Sequence, residues 1–349
     1  MTVEQASSQT MTAAPPAREV RPGLPLAVLG AVFLATVWCS LSLGRYNISF
    51  DAWRTILFAP EHGGTAGIIL LQVRLPRILA GILIGASLST AGAAYQGLFR
   101  NPMVSPDILG ASAGAGFGAA TGILLGFSIV GIQFAAFAVG LFAVLLTSTI
   151  SSRFTRAGDP VLTLVLVGIM VNSIFMALVS LMKYVGDAYN KLQAITFWLL
   201  GSLASTSSRD VLFALVPILV GLVPLLLLRW NLNVLSFGEE EARALGANTK
   251  KLRWIIIFCA TLLTATSVAV AGMVGWVGLV IPHLARMIVG PNYKVLLPAS
   301  LLLGATYLLL VDDVARSVYA LEIPLGIVTA LIGAPFFLYL LSRTQRGWA

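Results

Sequence analysis

From Ile108 to Thr149 the chain carries no charged side chain, and a run of that length can cross a bilayer twice with a turn between, because one crossing takes about 20 apolar residues. Further uncharged windows run from Leu24 to Leu43, Ile78 to Leu98, Pro160 to Met182, Val211 to Leu228 and Trp254 to Pro282. With 58% of residues hydrophobic, 10% charged and a mean hydropathy of +0.92, water cannot be the main solvent of the fold. A soluble bundle is excluded because its surface helices need a polar stripe. A β-barrel is excluded because the apolar runs are continuous and do not alternate. The expected fold is an all-α polytopic membrane protein of about ten transmembrane helices.

The pattern predicts a cytoplasmic tail over residues 1–23, with Pro15, Pro16 and Pro22 and no compact apolar run. A membrane domain follows over 24–343, interrupted by a charged cytoplasmic stretch at 229–253, and a second cytoplasmic tail covers 344–349. With the amino terminus inside, 14 of the 22 Lys and Arg fall on the cytoplasmic side, including Arg243, Lys250, Lys251 and Arg253, and 8 fall outside. That bias supports the orientation. It also accounts for the net charge of +8 by loops facing anionic lipid, without nucleic acid. The two halves echo one another weakly: Ala91-Gly92 with Gly97-Leu98 and Pro102, against Ala271-Gly272 with Gly278-Leu279 and Pro282. In this topology the echoes run in opposite directions, as inverted repeats do. Gly110, Gly114, Gly118 and Gly122 recur every four residues and predict a close helix contact.

An ion-coupled carrier usually keeps carboxylates at membrane depth. Here every Asp and Glu is expected in a loop or at a helix end, and Asn172 is the clearest polar side chain deep in a helix. No phosphate-cradling G-x-x-x-x-G-K-[ST] segment occurs, so a nucleotide motor would have to be another subunit. The candidate contact for one is Leu235 to Gly246, a short amphipathic segment stopped by glycine. Cys39 and Cys259 read as small apolar fillers. Met170, Met176 and Met182, six apart, share no helix face. His62 reads as a solvated loop residue, and His283 as a structural cap. No metal site, resident cofactor or catalytic cluster is expected.

Several motifs in order, Arg74-Leu75-Pro76-Arg77, Gly97 through Asn101-Pro102, Gly110 with Gly114, Gly238 to Gly246, Gly278 through Pro282-His283, Pro324-Leu325-Gly326 and Gly333-Ala334-Pro335, resemble the FecCD family. These are permease subunits of type II ABC importers for vitamin B12, haem and ferric siderophores. The resemblance spans the chain from Arg74 to the last helix. It implies a ten-helix subunit paired with a second permease subunit, two ATPase subunits carrying ATP and Mg below, one extracytoplasmic substrate-binding protein above, and membrane lipid around. It implies ATPase coupling through Leu235, Gly238, Glu240, Glu241, Ala242, Arg243, Leu245 and Gly246, and binding-protein docking through Arg74, Arg77 and Arg316, the last in a segment between the final two helices. The translocation pathway would be lined by Asn172, Phe175, Met176 and Val179. An inner gate would lie at Gly158, Asp159, Pro160, Val161 and Leu162, where the vitamin B12 permeases carry hydroxyl residues. The expected cargo is a ferric siderophore, with haem, cobalamin, another metallophore or molybdate as alternatives, imported across a bacterial inner membrane. An ion-coupled secondary carrier is the competing class.

Overall fold

The computed structural model describes residues 23–44, 46, 54, 64–154, 160–319 and 321–344. The tail residues 1–22 and 345–349, together with His62, Gly158 and Asp159, lie outside them. Thirteen helices organise the described chain: α1 (Gly23–Ser42), α2 (Leu75–Leu98), α3 (Ala111–Leu124), α4 (Ile129–Phe154), α5 (Pro160–Val185), α6 (Lys191–Leu200), α7 (Ser208–Leu227), α8 (Arg229–Phe237), α9 (Glu239–Ala244), α10 (Thr249–Ala271), α11 (Val277–Val289), α12 (Tyr293–Ser317) and α13 (Leu325–Thr344). A short helix, Gly64–Ile68, and a π-helical turn, Ile69–Arg74, run directly into α2. Seven helices are long and apolar enough to cross a membrane, and three shorter apolar ones, α3, α11 and α13, bring the bundle to the expected ten.

The centre of the bundle is α2, buried along nearly all of its length. Its sequence explains why: Gly85, Ser89 and Gly92 leave room for neighbouring backbones, and Gly81 for the Leu309 side chain. A Cβ on Gly85 would overlap the Gly304 carbonyl of α12, and one on Gly92 would overlap the Gly278 carbonyl of α11. Lipid offers no hydrophobic drive between helices, so contact between small residues is what holds such a core. The other central helix, α10, is also buried, and its Thr261, Thr264, Thr266 and Ser267 hydroxyls donate to carbonyls four residues back at 2.6–2.8 Å. These hydroxyls thereby enter the core already satisfied. By contrast α1, α4, α5 and α7 leave most of their surface outside the chain's own core.

The glycine row behaves as spacing predicts for three of its four members. Gly114, Gly118 and Gly122 face α4, where a Cβ on Gly114 would come within 2.6 Å of Ala143 Cβ. Gly110 instead stands before α3 in a left-handed conformation (φ 87°) and packs near Asn172 of α5. The sequence echo between the halves does not mark equivalent positions: Gly92 is in the middle of α2, whereas Gly272 ends α10 with φ 71°. His283 lies in the middle of α11, so it caps no helix.

Helices α3 and α11 are too short to span alone, at roughly 20 Å each. Irregular but buried backbone extends them, which membranes tolerate only inside protein. At one such junction Ser202 N–H donates to Ala271 O and Leu325 N–H to Gly201 O, both at 2.9 Å, tying α6, α10 and α13. Gly326 fits against the Leu200 and Met273 carbonyls there.

Candidate functional site

Two ends of the bundle carry the candidate residues. At one end α8 and α9 form an elbow around Gly238, whose φ of 134° suits glycine. Helix α9 then stops in a Schellman turn: Gly246 N–H donates to Arg243 O and Ala247 N–H to Ala242 O, each 2.9 Å, with Gly246 at φ 80°. Its inward face is Ala242, fully buried, and Leu235 of α8 is buried beside it. The outward face presents Glu240, Glu241, Arg243, Ala244 and Gly246 with two large apolar side chains, Phe237 and Leu245, about 70% exposed.

A latch that sequence reasoning missed fixes this elbow to α10. Glu239 accepts from Arg243 (2.9 Å), Arg253 (2.9 Å) and the Thr249 hydroxyl (3.2 Å), and Arg243 Nε donates to Thr249 Oγ1. Partial burial pushes the Glu239 carboxyl up, but Arg253, the Thr249 hydroxyl and Arg243 together outweigh it and hold it below the ordinary carboxylate range. The signal was present in the sequence as an acid ten and fourteen residues before Thr249 and Arg253, but only the turn at Gly246 makes those distances short. The result is a short helix tied to α10 by the Arg253 ion pair and the Thr249 hydroxyl. Pro160, Val161 and Leu162, the described part of the predicted gate, start α5 close by, and Pro160 shares a cavity with Glu239 and Lys250.

At the opposite end the three arginines do converge. Arg74, Arg77, Arg316 and Glu322 line one cavity of about 210 Å³. The three arginine side chains, however, turn inward and are less than a tenth exposed. Arg77 grips Asp312 with Nε and Nη2 (2.9–3.1 Å) and Glu322 with Nη1 and Nη2 (2.8 and 2.9 Å). Arg316 pairs with Asp313 and donates to Ser40 O at 2.7 Å, while the Ser40 hydroxyl donates to Asp313 at 2.6 Å. Arg74 caps the end of α1 through the Leu41, Ser42 and Tyr46 carbonyls. One expectation changes. Arg316 belongs to α12 itself, not to the segment after it, and Asp312 and Asp313, near the end of α12 as expected, are buried and not open to solvent. Arg77 and Arg316 face Asp312, Asp313 and Glu322, while Arg74 faces only backbone carbonyls; three guanidiniums and three carboxylates balance in number across the cluster, which staples α1, α2, α12 and the segment after α12. The overlooked signal was the spacing of Asp312 and Asp313, four and three residues before Arg316 on one helix face.

The predicted pathway residues do not share an open surface. Phe175 packs on Phe117 of α3 with ring centroids 5.9 Å apart, and Val179 sits with Ile195 and Leu199 in the core. Asn172 is half-buried against the backbone of Gly110, and only Met176 is exposed. Facing away from the core, α5 presents Leu166, Ile169, Met170, Ser173, Met176 and Ala177, an uncharged strip. The rotation escaped sequence reasoning because α5 is apolar all round, so periodicity cannot orient it.

An all-helical bundle of ten apolar helices, with a rigid amphipathic elbow at one end and no charged side chain on its open α5 face, is a membrane permease. The chain belongs to the FecCD transport family, whose model matches residues 32–343. It is 44% identical over 323 residues to the molybdate import system permease protein MolB of Haemophilus influenzae, covering 91% of this chain and 95% of that one. It is 39% identical to an iron chelatin transport system permease protein of Helicobacter pylori, covering 91% and 97%. Among solved structures it superposes on a metal-chelate type ABC transporter in an inward-facing conformation, with a TM-score of 0.82 and 42% identity, covering 91% and 98%. The chain is accordingly an ABC importer permease, a multi-pass membrane protein whose relatives are permease subunits, not enzymes.

Proposed function

We propose that this chain is the membrane subunit of an inner-membrane importer driven by ATP bound on separate ATPase subunits, and that it passes a metal chelate of the ferric-siderophore class by alternating access. The observation that carries the coupling role is the α9 elbow: a short helix stopped by Gly246, latched to α10 through Glu239 and offering Phe237 and Leu245 outward. A rigid projection of this kind transmits the closure of an ATPase pair into helix tilting. The elbow end is then cytoplasmic, in agreement with the Lys and Arg bias. The opposite end, around the arginine cluster, receives the binding protein. Because Arg74, Arg77 and Arg316 already have internal partners, their part in docking is to hold the rim in shape, with any direct contact to the binding protein made at the mouth of their cavity. Two copies or a paralogous pair would meet across the uncharged α5 strip and enclose the pathway there. A strip without charge holds cargo weakly, which suits a bulky chelate selected upstream by its binding protein. Molybdate is the second reading, favoured by the relative at 44% identity.

Reconstitution with an ATPase subunit and binding protein of this family tests the proposal. Phe237→Asp with Leu245→Asp should abolish co-purification of the ATPase while the chain remains inserted. A ligand panel scored by stimulated hydrolysis separates ferric chelates from molybdate. Uphill accumulation by the chain alone, driven by an ion gradient, would overturn the assignment.

A further inference from the structure

Between α4 and α10 an apolar groove opens on the outer surface of the chain, about 380 Å³ in volume and lined by Leu141, Phe142, Leu145, Trp254 and Phe258 among others. It continues without a break into a second cavity of about 330 Å³ at the α9 end, because Ser148, Trp254 and Ile257 line both. The second cavity differs in chemistry. Among the described residues, Arg243, Lys250 and Arg253 line it against one carboxylate, Glu239, with Ser151 and Ser152 on the α4 side. Two polar atoms at this site, Arg253 Nε and Ser148 Oγ, are buried and have no hydrogen-bond partner among the described residues.

Length ties the two cavities to a membrane leaflet. From Ala138 to Ser148, both lining residues of the groove, α4 rises about 15 Å. That is about half the hydrocarbon thickness of a bilayer, roughly 30 Å. Lys250 to Thr261 on α10 covers the same depth. The groove therefore runs from the level of the head groups to the bilayer midplane and ends where one leaflet ends. Trp254, at the junction, is the residue type that sits at the head-group level.

We propose that this composite groove binds one anionic phospholipid of the leaflet on the α9 side, which is the cytoplasmic leaflet in the orientation proposed above. An acyl chain lies against Phe142, Leu145 and Phe258. The phosphate sits among Lys250, Arg253 and Arg243, where Arg253 Nε and Ser148 Oγ still lack partners. The charge balance, three cations to one carboxylate, selects an anionic over a zwitterionic head group, because each nearby cation adds about fivefold to affinity for anionic lipid. The bound head group would lie between the α9 latch and Pro160 at the start of α5, so lipid composition reaches both the coupling elbow and the gate segment.

The test is lipid binding to the purified, delipidated full-length chain, followed by native mass spectrometry with phosphatidylglycerol and phosphatidylcholine of identical acyl chains. One site should prefer phosphatidylglycerol by at least fivefold. Lys250→Ser, an exposed position that the fold does not depend on, should lower phosphatidylglycerol affinity about fivefold and leave phosphatidylcholine unchanged. Leu145→Trp, which fills the groove without altering charge, should weaken both lipids, and Ala138→Phe serves the same purpose if that variant does not fold. Equal affinity for the two lipids overturns the proposal, as does indifference to both kinds of variant. If inorganic phosphate displaces the ligand and Leu145→Trp has no effect, the site holds a small anion or a partner's carboxylate, and the lipid assignment fails. None of these outcomes bears on the importer assignment, which the ATPase and ligand-panel measurements decide separately.

Discussion

Replacing Arg77 by Met isolates the arginine cluster most sharply. The guanidinium makes five hydrogen bonds to two carboxylates, and the side chains of Arg77 and Asp312 are 8% and 2% exposed. Without it, the cation left nearest Asp312 among the described residues is Arg316 Nε at 3.9 Å, beyond hydrogen-bond reach, and a buried carboxylate is stranded. Breaking a buried pair from one side costs about 3–5 kcal/mol. Asp312→Leu should cost less, because Arg77 retains Glu322, which is about a third exposed and solvated. The double variant Arg77→Met with Asp312→Leu leaves no unpaired buried charge between them, and such replacements are often close to neutral. The cycle therefore predicts a coupling of about 3 kcal/mol, against the 0–1 kcal/mol of exposed pairs. Reversible unfolding in mixed micelles, followed by tryptophan fluorescence, measures it. If the two single effects simply add, or if Arg77→Met costs under about 1 kcal/mol, the cluster is not a buried staple.

The remaining predictions concern packing and the coupling elbow. Gly92→Val should separate α2 from α11, because a Cβ there overlaps the Gly278 carbonyl; a loss of at least 1–3 kcal/mol is expected from overpacking, read as a lowered midpoint of thermal unfolding. Gly246→Ala meets no atom within 4 Å but must hold φ 80°, so it should cost only about 1–2 kcal/mol locally while lowering transport and uncoupling hydrolysis; unchanged uptake would remove α9 from the mechanism. Glu239 is held below its ordinary pKa, so the latch contributes fully above the unfolded value, near 4.3, and is lost as pH falls through the lower folded value. Spin labels on α9 and α10 should accordingly report a fixed distance at pH 6 and a broadened one only in that acid range, and Glu239→Gln should be broadened at both.

The membrane class and the helix count were legible because lipid imposes one rule, long uncharged runs, that composition states directly. The shape of the α9 elbow was legible for a different reason. Gly238 and Gly246 adopt backbone conformations that few other residues hold, so their spacing encodes the shape of α9. What stayed hidden were properties that depend on rotation and partner choice. α5 has no polar stripe, so nothing in its sequence distinguishes Phe175, which packs on Phe117, from Met176, which is open. The arginines at 74, 77 and 316 looked available because eight cations fell outside, and a count of charge does not reveal that Asp312, Asp313 and Glu322 come back through space to meet Arg77 and Arg316, or that the carbonyls of Leu41, Ser42 and Tyr46 meet Arg74. The arginine placement has a physical origin. In a bilayer a charged side chain at a helix end is stable either facing water or inside a balanced cluster, and local sequence does not separate the two. Tertiary geometry decides, and here α12 carries two of the three acids and one of the arginines, so the folding of that helix against α2 closes most of the network. The arginine cluster is therefore a precondition for the outer rim and not an addition to it: a variant that opens it should change the shape of the rim before it changes the rim's charge.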